Sequence, residues 1–418
     1  MKSFILLISV VLSCFAVDAR MKIEKDVDQR ARVAVVDCSD EEYSITGQKI
    51  FEIARDDLRI SGHFIPGGEY MRASYASREI SPSLRSMAYI FRFRFFIDGG
   101  KTILRLKVQS ASDGKIVMER EYSVSGKERF PFLVHKAVSD ANDALGFAPI
   151  SWINRYIVFS KSTGKKESEI VLADYTFNYM KTIVKGGLNL FPRWGDKKQK
   201  VLYYTGYNGE EPVLYRQNLA TGEREAIVSS QGMLICSDIS ADGKRLLLTM
   251  APEGQADIFE YDLIAKRLTR LTKFKGIDVG GKYTNDEKAI VFVSNRMGYA
   301  NIFRKSISDG SVEQIVFHGK NNGSCDVFGS KVVYSSRESE SGFGSHTFNL
   351  YLADIDSGSV RPLTSNGVNQ FPRFSMDGSV VLYIKRDERG TSVGYIGLET
   401  AQSMLFPLKA GKIQSYDW

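Results

Sequence analysis

Catalysis or metal binding would have to start from histidines, cysteines or grouped carboxylates, and these are thinly spread. The four histidines (His63, His135, His318 and His346) stand far apart, and the four cysteines (Cys14, Cys38, Cys236 and Cys325) contain no CxxC. Zinc sites draw on closely spaced pairs of such residues, so no metal and no cofactor is expected. Asp354-Ile355-Asp356-Ser357-Gly358 suggests calcium but lacks the ligand count of an EF-hand, and a plain turn is the expectation. Neither a serine-hydrolase elbow, a P-loop, a dinucleotide fingerprint nor an HExxH helix is expected. A basic row (Arg92, Arg94, Arg105, Lys107) offers anion binding, yet Glu119 and Glu121 on the neighbouring run predict a self-neutralised, solvated face.

The elements that would carry such groups repeat. Trp194, Ile239, Tyr283, Val327 and Phe374 recur at steps of 44 to 47 residues, the period of a propeller blade. Each anchor leads through a turn into an apolar run, such as Val201-Leu202-Tyr203-Tyr204 or Val380-Val381-Leu382-Tyr383. A third β-like run follows, for instance Ile258-Phe259-Glu260-Tyr261, then a Gly or Asp turn, then a polar fourth run such as Arg267 to Thr272. Four short runs separated by turn residues describe a four-stranded antiparallel sheet with a wet outer edge. An incomplete sixth repeat begins at Tyr156 and lacks its first strand. The C-terminal Gln414-Ser415-Tyr416-Asp417-Trp418, in register with the anchors, is expected to supply it and close a six-bladed ring.

The residues just before the anchors read Asp417, Arg193, Asp238, Lys282, Asp326 and Arg373 around the six blades. Their signs alternate without a break. The pattern predicts a ring of inter-blade ion pairs about the channel, a register device rather than a reactive centre.

Residues 20–148 do not share the repeat. Arg32 to Val36 reads as a strand, and Ile50, Ile53, Ala54 and Leu58 give Ser44 to Ile60 helical spacing. Tyr89 to Val124 reads as a three-strand meander. A second helix is expected between Pro131 and Gly146. The fold class is therefore α+β multidomain: a small N-terminal mixed α/β domain at 20–148, then a β-propeller at 149–418 closed by the C-terminal strand.

Lys and Arg total 56 against 49 Asp and Glu, a net charge of +7, and they are well mixed. No basic block would follow a phosphate backbone, so nucleic acid is excluded as a partner. Met1-Lys2, the apolar run Phe4 to Val11 and Val17-Asp18-Ala19 predict a secretory leader at 1–19 and a periplasmic chain. A rival reading takes Val11-Leu12-Ser13-Cys14 as a lipoprotein processing site. With cleavage after Ala19 three cysteines remain, and buried free thiols are expected.

The pattern Phe371-Pro372-Arg373-Phe374-Ser375 with Asp377-Gly378, looser in the other blades, resembles the WD40-like repeats of the TolB family. The order of leader, α/β domain, six blades and terminal Trp resembles that family along the whole mature chain. The resemblance implies a non-catalytic periplasmic component of the Tol-Pal system, supporting outer-membrane integrity and constriction during division. It implies a monomer that binds the peptidoglycan-associated lipoprotein Pal through one propeller face, and so sits peripheral to the outer membrane. Carried over, that face falls on the loops entering the innermost strands: Asn189, Leu234, Asp278, Asn322, Asn369 and Ile413. Beside them stand Leu190, Ile235, Val279, Gly323, Gln370 and Gln414. The second partner, TolA, would take the mature N-terminal segment Arg20-Met21-Lys22-Ile23-Glu24, which is more charged than the family pattern. The insertion around Ser339 to Ser345 is a further departure. The competing reading is a periplasmic propeller hydrolase or lyase acting on glycan or peptide. Only Asp278 among the six loop positions is ionisable, which argues against it.

Overall fold

A computed structural model describes residues 30–418 apart from 78, 208, 210, 339–346, 389 and 410. The expected leader, Cys14, the segment Arg20 to Glu24 and the insertion at Ser339 to Ser345 lie outside the described residues.

The N-terminal part runs β1 (Ala31–Asp37), α1 (Ser44–Ile60), β2 (Phe64–Pro66), β3 (Met71–Arg72), β4 (Tyr89–Asp98), β5 (Lys101–Ser110), β6 (Ile116–Ser125) and α2 (Phe130–Ala144). Its sheet has the order β2-β1-β4-β5-β6, with β3 also on β1. The meander β4-β5-β6 is antiparallel, whereas β1 pairs in parallel with β2, β3 and β4. Alternation along β4 puts Phe91, Phe93 and Phe95 on the face that both helices cover, in one core with Ile50, Leu58, Val134 and Val138. The two short strands went unread because two or three residues carry no periodicity.

The basic row departs from expectation. Arg105 does donate to Glu121 at 2.7 Å and is half-exposed, as a solvated pair should be. Arg92, however, is only 2% exposed. It donates to the Glu79 carbonyl at 3.0 Å, and Lys107 donates to the Tyr75 carbonyl at 2.8 Å. Tyr75 and Ile80 pack across that face onto the Val36 and Ile90 core. The two inner cations therefore staple a loop.

Among the described residues, the propeller strands form four four-strand antiparallel sheets and one eight-strand sheet that divides into two further four-strand units. Their innermost strands are Lys412–Asp417, Leu188–Trp194, Leu234–Ile239, Asp278–Tyr283, Lys320–Phe328 and Val368–Phe374, for blades 1 to 6. Blades 5 and 6 are tied by a single parallel bridge between Phe348 and Val368. In blade 1 the C-terminal strand pairs with Ile157–Gly164, so both chain ends of the propeller share one sheet. Fourth strands such as Arg267–Arg270 are exposed along their length, while second strands such as Ala289–Ser294 are wholly buried. Trp418 then packs edge-on to Trp152, 5.9 Å between centroids, and Trp152 stacks on Tyr395 of blade 6. No helix among the described residues is long and apolar enough to cross a membrane.

Candidate functional site: the channel and its open mouth

Antiparallel pairing fixes two faces. The loops entering each innermost strand and the turns between second and third strands lie at one end, because Asp278 pairs with Ser294 and Ser294 with Asn301. The N-terminal domain docks at the other end. Gly62 lies so close to Thr400 there that a Cβ would come within 2.4 Å of its side chain. His135 of α2 bridges the domains: Nδ1 lies 2.9 Å from Asp57 of α1, and Nε2 lies 3.3 Å from Asp174 in blade 1. Tyr175 also donates to Asp57. Burial works against charge on this ring, but the two carboxylates outweigh it and lift His135 to about 9. Thus the first end is uncovered, and the second carries the N-terminal domain on blades 1 and 6 beside an open funnel.

All six innermost strands carry a bulge, at Ile413/Ser415, Leu190/Arg193, Cys236/Asp238, Val279/Lys282, Gly323/Cys325 and Gln370/Arg373. A bulge re-aims the side chain beside it. In blades 2, 3, 4 and 6 the bulge ends on the charged residue before the anchor, and in blades 1 and 5 it ends one or two residues earlier. Arg193 donates to Asp417 at 2.8 Å and also pairs with Asp238. Asp326 lies 3.6 Å from both Lys282 and Arg373, and Arg373 Nε lies 3.9 Å from Asp417. Asp238 and Lys282 make no direct ion pair; Lys282 donates instead to the Ser237 carbonyl at 2.6 Å. Each aspartate also accepts the anchor amide of the next blade: Trp194 on Asp417 at 2.8 Å, Tyr283 on Asp238 and Phe374 on Asp326 at 2.9 Å. Carboxylate-to-amide bonds of this kind contribute about 1.5–3 kcal/mol each. The second role explains the alternation: every second blade offers a carboxylate to the next backbone, and the blade between offers the cation that neutralises it.

The loop residues carried over from the family resemblance sit within their loops rather than on the outer surface. Asn189, Leu234, Asp278, Asn322 and Asn369 are fully buried within the chain, as is Ile413 but for a trace. The three asparagines latch the loops. Asn189 donates to the Gly186 carbonyl at 2.8 Å, Asn322 to His318 at 2.7 Å and Asn369 to Asn366 at 2.7 Å. Asn189 and Asn369 also reach back to the third strand of the preceding blade, at Ser168 and Phe348. Asp278 is held by Arg296 at 3.0 Å, and Leu234 belongs to the core of blades 2 and 3. Strand alternation turns the next residue along outward, so Leu190, Ile235, Val279, Gln370 and Gln414 are half-buried at the mouth.

Other exposed apolar residues went unremarked in the sequence because they sit singly in turns. Phe317 is 80% exposed, Met297 70% and Tyr299 50%, and Met233, Ile277 and Phe371 are also exposed. All six lie on the uncovered end. Phe191 and Phe371 occupy the left-handed region, φ 54° and 56°, which bulky side chains rarely adopt. Both belong to the Phe-Pro-Arg strings of blades 2 and 6.

No cluster of three metal-ligating side chains occurs among the described residues. Cys38, Cys236 and Cys325 are buried free thiols, pushed by burial to about 11, 12 and 12. Asp354 accepts the Ser357 amide at 2.9 Å in a turn closed by Gly358 at φ 68°. The string Gly390-Thr391-Ser392-Val393-Gly394 does fit G-x-S-x-G, against expectation, but it lies inside the strand Gly390–Gly397 with Ser392 paired to Lys385. A nucleophile elbow needs a sharp strand-to-helix turn, and a strand interior has none.

Comparison with known proteins agrees with this architecture. The family model described as TolB beta propeller domain matches residues 153–418. The chain is 41% identical over 412 residues to the Tol-Pal system protein TolB of Wolinella succinogenes, covering 97% of each. It is 36% identical over 423 residues to that of Helicobacter pylori, covering both completely. The crystal structure of TolB from Acinetobacter baumannii superposes with a TM-score of 0.77 over 93% of this chain and 96% of that one, at 24% identity. With the propeller matched throughout and relatives similar from end to end, this chain belongs to the TolB family.

Proposed function

We propose that this chain is a non-catalytic periplasmic scaffold of the Tol-Pal system. It binds the lipoprotein Pal by the uncovered propeller end and TolA by the segment Arg20 to Glu24, and acts in outer-membrane integrity and division. The observation that carries the first contact is the gathering of the exposed aromatic residues Tyr299, Phe317 and Phe371 on that end, away from the docked N-terminal domain. An exposed apolar group rimmed by polar residues marks an interaction surface. Aromatic and Met side chains are the types that interfaces favour. On this reading the contact residues are Phe317, Met297, Tyr299 and Phe371 with Leu190, Gln370 and Gln414, on loops that the buried asparagines hold in place. Titration calorimetry with the soluble domain of Pal tests this. Phe317→Asp and Met297→Asp should each weaken binding about tenfold or more, the range of interface anchors. Unchanged affinity in both, or no binding by the unaltered protein, would contradict it.

A further inference from the structure

Between the bulged strands at the uncovered mouth lies a cavity of about 290 Å³, room for one or two side chains. Its walls are apolar: Phe191, Met233, Ile235, Val279 and Phe371 contribute. Its floor is charged with one sign. Arg193, Lys282 and Arg373 line it, whereas Asp238, Asp326 and Asp417 line the wider funnel on the far side, which the two arginines also reach. The alternating ring is therefore polarised along the channel axis. Its cations differ in how fully they are used. Arg193 is bound by two carboxylates. Lys282, 2% exposed, donates to one carbonyl with an ammonium that carries three protons. Arg373 has ion pairs only at 3.6 and 3.9 Å, and its Nε is buried with no hydrogen-bond partner among the described residues.

Buried donors left without acceptors are costly, and a ligand oxygen relieves that cost. We propose that this cavity receives a single acidic side chain of the protein partner, its carboxylate set on Arg373 and Lys282. The apolar residue beside that side chain would pack between Phe191 and Phe371. The inference rests on the reading of this end as the partner face, and it adds the chemistry of the anchor. The left-handed backbone at both phenylalanines fits such a role, since strain persists where the surroundings hold a residue for a purpose.

A library of random dodecapeptides displayed against the purified protein tests the anchor without assuming the partner's identity. Enriched peptides should share an Asp or Glu next to an aromatic or aliphatic residue. Changing that acid to its amide should reduce affinity at least tenfold, and Arg373→Gln and Ile235→Glu should do the same. Arg373→Lys, which keeps the charge, should retain most of the binding. Ile235 is not a member of the ring, and thermal melts of both variants separate loss of binding from loss of folding. Peptides without an acid, or equal binding to Arg373→Gln, would overturn the anchor even if Pal binds. Equal competition by millimolar inorganic phosphate would overturn it too, showing a general anion site. Acid-dependent peptides with no binding of Pal would leave the anchor standing and remove the partner assignment instead.

Discussion

Arg193 sits between two carboxylates, and its removal leaves both facing each other in a poorly hydrated channel. Breaking one side of a buried ion pair costs about 3–5 kcal/mol, whereas replacing the whole set by apolar groups can be nearly neutral. Arg193→Met should therefore lower the urea midpoint of unfolding markedly, and Arg193→Met with Asp238→Asn should recover part of the loss. Strict additivity of the two would show that the groups do not communicate. The alternation of sign was legible beforehand because a repeat places equivalent residues in equivalent positions. What could not be read was that each aspartate also accepts a backbone amide, for that requires knowing which blade follows which in space. The latching role of the asparagines was hidden for a similar reason. Asn in a loop suggests a polar contact surface, yet its side chain serves equally to tie down neighbouring carbonyls, and here it does the latter.

The helix α2 and the third-strand turn of blade 1 meet at His135. Both ring nitrogens face carboxylates, which accept only, so the geometry calls for an imidazolium. Its folded value is raised above the unfolded one. The linked stability is then complete below about 6.5 and is lost as pH rises through about 9. That displacement corresponds to about 3 kcal/mol. Thermal unfolding between pH 6 and 10 should show the wild type losing stability across this window and His135→Gln showing a flatter profile. Identical profiles would mean that His135 is neutral in the folded protein. This junction was not legible in the sequence: His135, Asp57 and Asp174 are separated by 78 and 39 residues, and no periodicity links a helix to a propeller turn. The helices themselves were, since Ser44–Ile60 repeats its apolar residues at helical spacing over more than four turns.

On the scale of the whole molecule the two ends of the propeller have separate tasks. One carries the α/β domain and the aspartate side of the ring. The other is open, bears the exposed aromatic residues together with Met233 and Met297, and shows the cationic side. The closing strand Lys412–Asp417 makes this division possible by locking the first blade to the last residues of the chain. Six-fold repetition and closure were visible from anchor spacing alone, but which end is free depends on where the N-terminal domain docks. Hydrogen exchange of the protein with and without the soluble domain of Pal tests the central claim most directly. Protection should fall on the loops around Met233, Ile277, Met297, Phe317 and Phe371, with α1, α2 and the turns at 196–200 and 284–288 unchanged. Protection confined to the N-terminal domain or to those far-side turns would contradict the account.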